Sequence, residues 1–144
     1  MTQNDEKKFK IILEYIKDLS IETPSISALA FVQQNLSDYI MDIDISSQVL
    51  KNKAIEVVTR LTLQDKKDTE EKAFFEIKYS TVITLDKSIN DKNSVGKIVL
   101  CELQKIVYPK IEKIFLDLIK NAGYPDLKFE KKVDFDKLYN EKFS

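Results

Sequence analysis

The chain has no histidine, no tryptophan, one cysteine and, in 144 residues, only two glycines and three prolines. Without histidine there is no imidazole base, no imidazole metal ligand and no Ser-His or Cys-His nucleophile pair. A single cysteine, Cys101, excludes an internal disulfide and a thiolate zinc site. Beside Leu100 it reads as a small buried hydrophobe rather than a nucleophile. An excess of one charge is lacking too. With 23 Lys and Arg against 24 Asp and Glu, there is no basic field to track a phosphate backbone, so no nucleic-acid partner is expected. No stretch approaches the roughly 18 apolar residues of a membrane span, and Met1 to Lys8 are polar, with no apolar segment of a leader. The expectation is a cytoplasmic protein with no direct membrane insertion. Residues 1–8 should fray, and residues 9–144 should form one domain that buries roughly 68–70% of its extended surface.

What is present is organised around residues 103–122. At about 100° per residue, Leu103, Val107, Tyr108, Ile111, Ile114, Phe115, Leu118, Ile119 and Ala122 fall in one sector roughly 160° wide. A helix lying on one sheet needs only about 100° of apolar stripe. The surplus, with Ile106 and Leu116 outside the sector, predicts a second partner surface, read here as another subunit. Ser94 is placed to cap this helix, and Gly123 followed by Pro125 to end it. Pro109 inside it predicts a kink or a break.

Elsewhere the period is two. Phe9, Ile11, Leu13, Tyr15, Leu19 and Ile21 occupy odd positions, with Lys17 the exception, and a helical reading through Phe9, Ile12, Leu13 and Ile16 competes over the first half. Thr23-Pro24 ends that strand. Residues 25–37 show neither period and read as a crossover whose apolar side chains need cover. Strands follow from Tyr39, Met41, Ile43 and Ile45, from Ile55, Val57, Leu61 and Leu63, and from Phe75, Ile77, Tyr79, Thr81 and Ile83. The turn at 50–53 and the polar loop at 64–71 predict an antiparallel meander. Asp134 is placed to cap a short last helix carrying Phe135, Leu138 and Tyr139 on one face.

The even strand positions hold Asp18, Glu22, Asp42, Asp44, Glu56 and Glu76 against Arg60 and Lys78, an excess of four negative charges on one sheet face. A solvated face of a one-sided sheet accounts for this. So does a docking surface for a basic partner. None of these carboxylates sits beside an apolar pocket that would support acid/base catalysis.

Three segments resemble the SecB family of bacterial protein-export chaperones. They are Tyr-Ile-Lys-Asp-Leu-Ser-Ile-Glu-Thr-Pro at 15–24, Ala-Phe-Phe-Glu-Ile-Lys-Tyr-Ser-Thr-Val-Ile at 73–83, and a third set. That set runs Ile-Val-Tyr-Pro-Lys-Ile-Glu-Lys at 106–113, Ala-Gly-Tyr-Pro-Asp-Leu at 122–127 and Val-Asp-Phe-Asp-Lys-Leu-Tyr at 133–139. Leu103-Gln104 stands where the family has Cys-Pro, and a chain ending at Ser144 is expected to make a weaker second contact with the motor. The resemblance implies an α+β fold, a four-stranded antiparallel sheet with one long helix packed across it and a short C-terminal helix, assembled as a homotetramer. It implies an ATP-independent holdase that binds non-native preproteins in an apolar groove and delivers them to the SecA motor ATPase, with no cofactor. By position, the motor-docking face would carry Asp18, Glu22, Phe74 and Glu76. The groove would draw on Phe31, Leu36, Tyr39, Phe129, Phe135 and Tyr139, and the oligomer interface on Ile106 and Leu116. Two other readings stand beside it. One is the same fold serving a dedicated client such as an antitoxin. The other is an α+β domain enclosing a small apolar ligand; a pocket enzyme of that kind needs inward carboxylates or histidines, and the inward odd strand positions offer no charged group but Lys17.

Overall fold

A computed structural model of the chain describes residues 8–65, 71–125 and 133–143. Strands β1 (Phe9–Glu22), β2 (Tyr39–Val49), β3 (Ile55–Asp65) and β4 (Phe74–Leu85) form one antiparallel sheet in the order β1-β4-β3-β2. The meander of β2, β3 and β4 is as the unbroken alternation predicts. β1 closes the other side by pairing with β4, so β1 and β2 are the edges. The turn before β3 keeps its expected place, with Lys53 at a positive φ of 69°.

Residues 25–37 are not an irregular crossover. Ser25 caps helix α1 (Ile26–Asn35), its hydroxyl accepting from the Ala28 N–H at 3.1 Å, and a 3-10 turn (Leu36–Asp38) leads into β2. Only Ala28 and Val32 of α1 are buried, a face too narrow to show as a period among its other apolar residues.

The long helix is three consecutive pieces, α2 (Lys92–Lys97), a π-helical turn (Ile98–Glu102) and α3 (Leu103–Asn121). It starts before Ser94. Asp91 is the N-cap, its carboxylate accepting from the Ser94 N–H at 3.0 Å, so Ser94 is the third residue of the helix and its amide is one of the first-turn donors that need a cap. Pro109 does not break α3. It and Lys105 are both exposed, where loss of one backbone bond costs least. Leu103, Val107, Tyr108, Ile111, Phe115 and Ile119 are buried as the sector predicts, while Ala122 lies past the helix end and is exposed. Gly123 takes φ 110°, a conformation that only glycine adopts without strain.

The core lies between α3 and one face of the sheet. Phe75, Phe115, Leu61, Ile77 and Ile111 are fully buried there, each stabilising by about 1.5–3 kcal/mol through removal of apolar surface from water. Tyr39 and Tyr124 meet Phe75 edge-on at 5.9 and 5.1 Å. Helix α4 (Phe135–Phe143) is capped by Asp134, whose carboxylate accepts from the Lys137 N–H at 3.0 Å. Phe135 seats on Tyr108 with ring centroids 5.3 Å apart.

β1 departs from strict parity. Its register against β4 shifts between Ile11 and Leu13 and again between Ile16 and Asp18. Paired residues share a face, so Leu13 and Tyr15, opposite Val82 and Ser80, turn to the outer face, away from α3, while Glu14 and Ile16 turn inward. The inward charged group of β1 is therefore Glu14 rather than Lys17. Glu14 accepts from the Tyr79 hydroxyl at 3.0 Å and pairs with Lys110 of α3 at 2.9 Å.

Candidate functional site: the outer sheet face

Side chains two apart along a strand share a face, so the outer face divides into cross-strand rows. Glu22 stands opposite Phe74 at the end nearest α1, and the next row runs Asp42, Thr62, Glu76, Ser20. The third runs Asp44, Arg60, Lys78, Asp18. The second bulge restores even parity, so Asp18, Glu22, Phe74 and Glu76 share this face, with Glu22 and Phe74 at its end, Glu76 one row in and Asp18 two rows in, opposite Lys78. Phe74 is 45% exposed among the carboxylates. A cavity of about 680 Å³ opens beside it, lined by Glu22, Pro24, Leu63, Gln64, Ala73 and Phe74 among others. The face is less acidic than parity predicts, because the bulge carries Lys17 onto it, where its ammonium reaches Glu56 at 3.1 Å.

Glu56 on β3 is the residue that sequence reasoning missed. Both a solvated face and a docking face would leave it open to solvent, yet it is only 6% exposed. One oxygen accepts from Ser80 at 2.6 Å, Tyr15 at 2.8 Å and Lys17 at 3.1 Å, and the other from Gln48 at 3.1 Å. Donors from β4, β1 and β2 therefore converge on β3. The Ser80 and Tyr15 hydroxyls, then Lys17, hold its carboxyl down at about 2 against an ordinary 4.5. Lys17, the single break in the odd apolar pattern of β1, was the signal that could have found it.

The groove candidates divide. Leu36, Tyr39 and Phe135 pack in the core. Phe31 is 36% exposed on α1, and Tyr139 is half-buried on α4 with its hydroxyl donating to the Asn93 carbonyl at 3.2 Å. Phe129 lies outside the described residues. Ile106 is 48% exposed and Leu116 half-buried on α3, both outside the buried core. Among the described residues no group of three or more His, Cys, Asp or Glu side chains is arranged to hold a metal ion, and no helix is long and apolar enough to cross a membrane.

The family profile described as "Preprotein translocase subunit SecB" matches residues 2–144. A putative protein-export protein SecB of Pelagibacter ubique is 43% identical over 99% of both chains. The chain belongs to the SecB family. A protein-export protein SecB of Afipia carboxidovorans is 29% identical over 91% of this chain and 80% of that one. Among solved structures, a SecB-like chaperone of Mycobacterium tuberculosis in complex with a ChAD peptide from the HigA1 antitoxin shares the fold. It has a TM-score of 0.61 at 12% identity, with 87% of this chain and 91% of that one covered.

Within this chain, Asp136 fixes the last helix to the long one. Its carboxylate accepts from the Cys101 thiol at 3.0 Å and pairs with Lys97 at 3.1 Å and Lys105 at 3.3 Å, and these partners, Cys101 first, hold it down at about 2. Burial and the same contact push the Cys101 thiol up, away from nucleophilic use. Replacing Asp136 by alanine should speed amide exchange in α4 while leaving β3 and β4 protected. Since its folded carboxyl lies below its ordinary 3.8, docking should persist above that value and loosen as pH falls towards about 2. Unchanged α4 exchange would mean that the packing of Phe135 and the Tyr139 contact to Asn93 hold the helix without Asp136.

Proposed function

We propose that the chain is an ATP-independent holdase of the Sec export route, non-enzymatic and cytosolic, which keeps preproteins non-native and hands them to the SecA motor. Membership of the SecB family is the observation that carries this reading. The placement of Glu22, Phe74 and Glu76 at one uncovered end of the outer face, with Asp18 further along the same face, supports the motor contact, with carboxylates to steer a basic surface and Phe74 as the apolar anchor. Client binding would use apolar surface elsewhere, with exposed Phe31 and half-buried Tyr139 as its most accessible aromatics and Leu36, Tyr39 and Phe135 reachable only if their cover moves.

Assembly as a homotetramer is part of the proposal. Ile12, Leu13, Ile16 and Leu19 are exposed along the edge strand β1, and an apolar edge of that length is a template for a second chain unless covered. Exposed Ile106 on the long helix adds a further surface to cover.

The test is titration of SecA with a double variant, Asp18→Lys with Glu22→Lys, beside an aggregation-suppression assay on an unfolded client. Association should slow about tenfold at low salt and depend less on salt, because exposed charges act on encounter and are screened beyond about 10 Å at 0.1 M salt. Aggregation suppression should persist. Motor affinity equal to wild type at low salt would return these carboxylates to a solvated sheet face.

A further inference from the structure

The row Asp44, Arg60, Lys78, Asp18 places two cations directly opposite each other on the two central strands, with the acids at its ends. Like charges in that relation are locally unfavourable. The β1 bulge adds a third cation, and Lys17, Arg60 and Lys78 line one depression of about 260 Å³ together with Asp44, Ser46 and Val58. Two of the three are held by carboxylates on other sides. Lys17 leans on Glu56 at 3.1 Å, and Arg60 on Glu76 at 3.7 Å, both keeping over 40% of their side chains exposed. Asp18 stands opposite Lys78 on its β1 side. The outer face is thus not a uniform acidic patch. It is an acidic end centred on Glu22, Phe74 and Glu76, followed two to four residues along the strands, roughly 7–13 Å, by a cationic dent.

We propose that this dent receives a carboxylate of the docking partner, so that the face reads a mixed-charge segment, with cations over Glu22 and Glu76 and an acid over Lys17, Arg60 and Lys78. The inference rests on the motor-docking reading above and deepens it. A uniform acidic face would accept a basic segment in either direction. An acidic end followed by a basic dent accepts it in one, because reversal sets like charges against each other at both ends.

Titration of SecA with Lys78→Glu, Lys78→Gln and Glu22→Lys, each checked for folding by its unfolding midpoint, decides the point. Lys78→Glu should weaken binding about tenfold at low salt, with the loss shrinking at high salt. Lys78→Gln, which removes the cation without adding an acid, should weaken it by about threefold and carries the test if the glutamate variant folds poorly. Tighter binding by Lys78→Glu would overturn the inference, because adding an acid improves a plain acidic patch for a basic partner. Unchanged binding by both Lys78 variants, with Glu22→Lys still weakened, would also overturn it while leaving the motor contact in place. Unchanged binding by all three would sink the docking reading and this inference together.

Discussion

Glu56→Gln should lower the free energy of unfolding by about 2–4 kcal/mol, because a neutral amide cannot accept from three donors at once and leaves the Lys17 ammonium and the buried Ser80 hydroxyl poorly matched. The loss falls on all four strands, since the carboxylate draws its donors from β1, β2 and β4. The pH dependence has a definite sign. The folded carboxyl sits at about 2, below its ordinary 4.5, so its stabilisation is complete above pH 4.5 and disappears as pH falls towards 2. The glutamine variant should lack that part of the acid loss. Urea unfolding of both proteins at fixed chain concentration, at pH 7 and at pH 3, measures it through the midpoint at constant slope. Equal midpoints at pH 7 would mean that the network is held by the sheet rather than holding it.

Glu56 also marks where the alternation of the sequence stops being readable. β2, β3 and β4 were legible because the side-chain period is unbroken within each strand, and each pairs residue for residue with its neighbour. β1 carries two extra residues, at Ile12 and Lys17 in the pairing, and each bulge reverses the faces. The run Ile11-Ile12-Leu13 and the misplaced Lys17 were the traces of this in the sequence, read as a competing helix and an exception. Asp18 and Glu22 keep the outer face that parity predicts because both bulges lie before Asp18, and two reversals restore the original parity. Nothing in the alternation of β3 itself could show that Glu56 is buried. Its burial follows from Tyr15 and Lys17 being turned over it, a consequence of the bulge rather than of β3. Helix α1 was hidden for a different reason, since its buried face amounts to Ala28 and Val32. Its start was written in Pro24-Ser25, where the serine caps the first turn.

Ile106→Asp should split the proposed tetramer into smaller species while leaving the protomer folded. Ile106 is 48% exposed on α3 and makes no part of the buried core, in contrast to its neighbour Val107, which is fully buried. A protomer therefore gains little from the isoleucine, and a retained far-UV spectrum is expected. In an assembly with two-fold symmetry the same side chain enters its interface from both partners. Each substitution then removes apolar burial of about 1.5–3 kcal/mol and adds a carboxylate without a partner. Leu116→Asp, at a half-buried position ten residues along the same helix, should act in the same direction with a smaller loss of assembly, because part of its surface is already covered within the protomer. Sedimentation over a range of concentrations measures both. An Ile106→Asp protein that sediments as four chains would show that this side chain faces water, and would leave the exposed apolar row on β1 as the surface by which the chains meet.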